Sequence, residues 1–99
     1  MAIYRSATFH LNSESIDRCK AAIREYVEHI KTDEPGVSLY VSLQDQVNPN
    51  RFVHFYRFEN EQAERSHGES PLTRRFAEKI GPELAGPISF GDYDLIAES

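Results

Sequence analysis

A change of hydrophobic period at Glu34-Pro35-Gly36 constrains the fold of this 99-residue chain more than any other feature. Before it, Ile16, Cys19, Ile23, Tyr26, Val27 and Ile30 recur at three- and four-residue steps, the apolar stripe of a long amphipathic helix. Asn12 or Ser13 is placed to cap that helix, with Glu14 in its first turn. After the motif, Val37, Leu39, Val41 and Leu43 alternate with Ser38, Tyr40, Ser42 and Gln44, the period of a half-buried strand. Pro35 disfavours helical backbone at Glu34, and Gly36 is read as the freely turning residue that reverses the chain. The motif thus reads as a structural break, with no reactive role.

The same periods organise the rest. Residues Ile3 to Leu11 alternate, with Ile3, Ala7, Phe9 and Leu11 on one side and Tyr4, Ser6, Thr8 and His10 on the other. Asp45 to Asn50 has turn composition with Pro49 inside it, so a hairpin joins the strand after Gly36 to a third strand, Phe52 to Phe58. Glu59 to His67 suits a short helix, and Ser70-Pro71 restarts helix with Ser70 as N-cap and an apolar stripe of Leu72, Phe76 and Ile80. Gly81-Pro82 ends it. Ile88 to Ala97 is a last strand in which Gly91 marks a bulge.

This order predicts one α+β domain over residues 1–99, a ferredoxin-like βαββαβ fold with a broken second helix. Right-handed crossovers put both helical layers on one face of a four-stranded antiparallel sheet. The third strand carries large side chains on both faces, and a chain this short buries only about two-thirds of its unfolded surface. The uncovered face therefore calls for a second copy of the same sheet. We expect Phe55 and Arg57 to face the helices and His54, Tyr56 and Phe58 to lie in the seam between copies.

The ordered set Glu34-Pro35-Gly36, Asn48-Pro49-Asn50-Arg51-Phe52, Ala63 and His67-x-x-Ser70 resembles the antibiotic biosynthesis monooxygenase family along nearly the whole chain. The resemblance implies a dimeric α/β barrel, two sheets face to face, and a pocket between helices and sheet. It implies an enzyme: a cofactor-independent monooxygenase of a phenolic or quinol-like small molecule, with molecular oxygen as co-substrate and no cofactor. It places His67 on the helix roofing the pocket, where an imidazole would accept a phenolic proton. A helix-end histidine bonded to Ser70 or to a backbone carbonyl is the plainer reading. In the haem-degrading branch of the family, an Asn, a Trp and a His fall at Ala7, His67 and Ala77 of this chain; none matches, and the chain has no Trp. Many members carry Glu where Tyr56 aligns.

Further candidates come from residue chemistry. Arg5 and Arg57 interrupt apolar strand faces and, if adjacent, would select an anion, which favours a second reading: an isomerase of a small, phosphorylated carbonyl compound. The alternative is that each arginine reaches solvent or a carboxylate. Phe9, Phe55 and Phe76 are expected pocket walls for a planar substrate as well as core. A third reading is a non-catalytic ligand-binding dimer. His10, His29, His54 and His67 are dispersed without metal-ligand spacing; a cross-strand His10–His54 pair is the only arrangement that suggests a metal, and no metal is expected. Cys19, the single cysteine, reads as a buried thiol. A net charge of -5, from 16 acidic and 11 basic residues, argues against nucleic acid. No apolar run is long enough for a membrane span, and a cytoplasmic protein is expected.

Overall fold

The computed structural model describes residues 1–99. Its elements are β1 (Ile3–His10), α1 (Ile16–Asp33), β2 (Val37–Gln44), β3 (Arg51–Phe58), α2 (Glu61–Glu69), α3 (Pro71–Ile80) and β4 (Ser89–Tyr93). All strands pair antiparallel in the order β2-β3-β1-β4, and the helices cover one face. This is the expected α+β ferredoxin-like arrangement. No helix is long and apolar enough to cross a membrane.

Local chemistry sets the boundaries. Ser70 caps α3 by accepting from the Leu72 N–H, with Pro71 in its first turn. Asn60 does the same for α2, accepting from the Ala63 N–H. The hairpin turn is built on Asp45, whose Oδ1 accepts from the Val47 and Asn48 N–H groups, both at 2.8 Å. Those two backbone bonds hold its carboxyl below the usual range. The start of α1 differs from expectation: neither Asn12 nor Ser13 makes a cap bond, because a single 3-10 turn over Ser13–Ser15 leads in and the Ser15 hydroxyl donates to the Asn12 carbonyl. β4 is shorter than the expected Ile88–Ala97, and Gly91 pairs in regular register with Ser6, without a bulge. Gly91 is needed for room, since a Cβ there would lie 2.2 Å from the Tyr93 hydroxyl.

The core lies between sheet and helices, where Phe9, Leu11, Cys19, Ile23, Phe52 and Ile80 cluster. Phe9 and Phe52 are partners across β1 and β3, and their rings stack at 5.8 Å. That pairing corrects the expected facing of β3. Ala7 is opposite His54, and Arg5 is opposite Tyr56, so Phe52, His54, Tyr56 and Phe58 turn toward the helices. Phe55 and Arg57 point to the open face, where Phe55 sits beside Tyr4 and Tyr93. A strand alternates with a period of two, so one pairing decides the direction of every side chain in it.

Gly36 also has a different reason from the expected one. The only residue with positive φ is Gly86, so Gly36 needs no unusual backbone. A Cβ at Gly36 would lie 2.6 Å from the Ala63 Cβ, and the two motif residues are each other's explanation: the start of β2 packs directly on α2. Gly36→Ala should lower stability by about 1–3 kcal/mol in chemical denaturation, and adding Ala63→Gly should recover part of that loss. Additive effects of the two substitutions would contradict a direct contact.

Candidate active site

His67 is 9% exposed on the inner side of α2. Its side chain bonds neither Ser70 nor a backbone carbonyl. Instead Nδ1 lies 2.7 Å from Glu34 Oε1, and Nε2 lies 3.1 Å from the Tyr26 hydroxyl. A carboxylate only accepts, so in the neutral ring Nδ1 carries the proton and Nε2 accepts from Tyr26. The Thr73 hydroxyl, 3.1 Å from the Tyr26 oxygen, then donates to Tyr26. Four residues from α1, its C-terminal end, α2 and α3 form one chain of hydrogen bonds. Glu34 reaches the ring because Pro35 stops α1 at Glu34, whose own N–H still bonds the Ile30 carbonyl.

Aromatic rings surround the imidazole. Tyr26, Tyr40, Tyr56 and Phe58 have centroids 5.3–6.2 Å from that of His67. Burial pushes the Tyr26 phenol up to about 12 and the Tyr40 phenol well above its ordinary value, so both remain hydroxyls at neutral pH. Behind Tyr40, whose hydroxyl is 2.7 Å from His54 Nδ1, the His54 ring is 1% exposed and its Nε2 has no partner. Burial lowers His54 to about 4.

A cavity of about 270 Å³ opens beside His67, between α2 and strands β1, β3 and β4. Tyr56 and Phe58 form its inner wall and Phe90 stands at its rim. Arg5 lines it too, but the guanidinium is engaged: Nε donates to Glu64 at 2.7 Å and lies 3.4 Å from Asp92. The Glu64 hydrogen bond holds Arg5 above its ordinary range. A larger cleft of about 410 Å³ between α1 and β2, floored by Ile23, Val27 and Phe52, contains no histidine.

Of the residues singled out in the sequence, the structure brings His67 and Arg5 to one cavity. Phe9 is buried in the core, and Phe76 stacks on Tyr26 at 4.1 Å behind the hydrogen-bonded chain. Phe55 and Arg57 lie on the opposite sheet face. The expected Arg5–Arg57 anchor is therefore not formed; Arg57 bonds Ser38 and lies 5.8 Å over the Tyr4 ring. His10 is opposite Arg51, three pairs along β1 from His54's partner Ala7 and on the other face, so the His10–His54 pair is not formed either. No group of three or more metal-ligating side chains is assembled. Glu34, Tyr26 and Tyr56 were missed as site residues. Tyr26 was hidden in a helix stripe, Glu34 in a turn motif, and Tyr56 by the wrong strand facing.

Together, the cavity and the ferredoxin-like sheet define a small α+β domain with a small cavity beside a buried histidine. Residues 2–79 match the family model described as antibiotic biosynthesis monooxygenase, and the chain belongs to that family. Solved structures agree in fold. One described as an antibiotic biosynthesis monooxygenase is 23% identical, with a TM-score of 0.88, over 98% of this chain and 100% of its own. Proteins carrying the same family name from Bacteroides thetaiotaomicron (19% identity, TM-score 0.90, 97% and 90% covered) and Caulobacter crescentus (17%, 0.91, 97% and 91%) superpose equally well. No curated protein matches the chain.

The His54 environment makes a pH prediction. Its folded value near 4 lies below the 6.5 of an unfolded histidine, so the unfolded chain binds more protons between those values. Stability from the neutral buried ring is fully present above pH 6.5 and is lost as pH falls toward 4. The unfolding free energy should fall across this window at up to about 1.4 kcal/mol per pH unit, and His54→Phe should flatten that part of the profile.

Proposed function

We propose that this protein is a cofactor-independent monooxygenase of a phenolic or quinol-like compound, with His67 as the base. The observation that carries the reading is the hydrogen bond between His67, which lines the cavity, and Glu34, which lies behind it. Glu34 holds the ring with Nδ1 protonated and stabilises the imidazolium formed when Nε2 takes a proton, the role of the carboxylate in any carboxylate–histidine pair. A ligand hydroxyl replaces Tyr26 at Nε2, and Tyr26 stays tethered by Thr73. Proton transfer leaves a phenolate, which reduces dioxygen by one electron. The resulting radical pair forms a C–O bond, the proton returns from Nε2 to the peroxide, and loss of water leaves one oxygen atom on the oxidised ring. Atoms balance as quinol plus dioxygen giving hydroxyquinone plus water.

The isomerase reading loses its motivating pair of arginines. A non-catalytic binding protein is the remaining competitor. Oxygen uptake with hydroquinones, naphthols and anthrols, followed by mass spectrometry, separates the two. The expected result is incorporation of one oxygen atom at a rate reduced about 10²–10⁴-fold in His67→Ala. Uptake at the autoxidation rate in both proteins would leave binding without turnover.

The second part of the proposal is a homodimer through the open sheet face. Helices cover only one side, and the other presents Tyr4, Leu39, Val41, Val53, Phe55 and Tyr93 to solvent. A second copy of the same face is the self-complementary cover. Sedimentation at micromolar concentration should show a dimer, converted to monomer by Phe55→Asp. A wild-type monomer would end this claim.

A further inference from the structure

The cavity contains one hydroxyl that the fold does not use. Tyr56 makes no hydrogen bond within the protein, although the other two tyrosines beside His67, Tyr26 and Tyr40, are both bonded. Its ring is fixed: it stacks on Tyr40 at 5.0 Å with planes 10° apart and meets Phe58 edge-on at 5.6 Å. Burial, and then the charge of Glu64, raise its phenol, so it stays a donor at neutral pH. A rigid donor that reaches the cavity with no protein partner, beside His67, is available to a ligand.

The charges of the cavity restrict that ligand further. Its lining has one cation, Arg5, and two carboxylates, Glu64 and Asp92, so the sum is one minus charge with the guanidinium already paired. An entering carboxylate or phosphate would meet this excess at close range and would have to break the 2.7 Å Arg5–Glu64 bond to gain a partner. About 270 Å³ is below the range of roughly 300–1,000 Å³ that holds drug-sized ligands.

We propose that Tyr56 is the second contact residue of this site, donating to a ligand oxygen other than the hydroxyl held by His67, and that Glu64 and Asp92 exclude anionic ligands. The class selected is an uncharged aromatic of one or two rings bearing two oxygens. The inference rests on the His67 cavity as the ligand site, but it does not require oxygen chemistry there.

The test is calorimetric titration under anaerobic conditions with three matched probes: 1-naphthol, naphthohydroquinone and 4-hydroxy-1-naphthoate. Naphthohydroquinone should bind the wild type more tightly than 1-naphthol does. Tyr56→Phe should weaken it by about two- to tenfold, the worth of one neutral hydrogen bond, while leaving 1-naphthol unchanged. The naphthoate should bind at least about tenfold more weakly than naphthohydroquinone and should gain in Asp92→Asn, where one opposing charge is removed. Equal losses for both neutral probes in Tyr56→Phe would overturn the contact, as would no loss for either or no binding at all. Naphthoate binding as tight as that of naphthohydroquinone would overturn the charge selection. If the Tyr56-dependent difference appears but oxygen uptake does not, the monooxygenase reading fails and the ligand assignment stands.

Discussion

The structure depends on the register in which β3 pairs with β1. Phe9 stacked on Phe52 is the anchor of that register, and His54 then meets the Phe9 ring edge-on at 5.0 Å. From this pairing Tyr56 falls beside Arg5 and His67, and Phe55 and Arg57 fall on the far side. A slip of one residue would turn Arg57 onto the same face as Arg5, remove Tyr56 from the cavity wall and bury a guanidinium against the helices. Core packing therefore selects the chemistry that the cavity can contain.

The polar chain through His67 is a second constraint, imposed where apolar contacts alone would close the core. Glu34 Oε1, His67, Tyr26 and Thr73 hydrogen-bond one another, which offsets most of the cost of burying them, and Glu34 Oε2 is left buried without a partner. They also join α1 to α2 and α3, so the roof of the cavity is held at a fixed height above the sheet. The contact of Gly36 with Ala63 has the same effect from outside, because it brings the turn that carries Glu34 onto α2. The two motif residues and the histidine, separate in sequence, form a single structural device.

Much of this is legible in the sequence. The helical stripe ending at Ile30, the Asp45 hairpin, the Ser70 cap and the broken second helix are local patterns, set by side-chain period and backbone preference within a few residues. Cys19 is buried, as its place on the apolar stripe of α1 predicts. His67 was identifiable as a candidate because it stands in a motif. Its partners were not: Glu34 is 33 positions away and Tyr26 is 41, and no spacing rule links residues so far apart. The cap of α1 failed for a smaller reason, since the added 3-10 turn moved the helix start beyond Asn12.

Local periodicity and the handedness of crossovers, both written in the chain, set the order and type of elements and with them the ferredoxin-like topology. Which face of β3 looks inward is settled by long-range packing. Both faces carry aromatic residues, so hydrophobic pattern alone was degenerate, and the tie was broken by the stacking of Phe9 on Phe52 across two strands. That one long-range contact separated Arg57 from Arg5 and made Tyr56, not Phe55, a wall of the cavity.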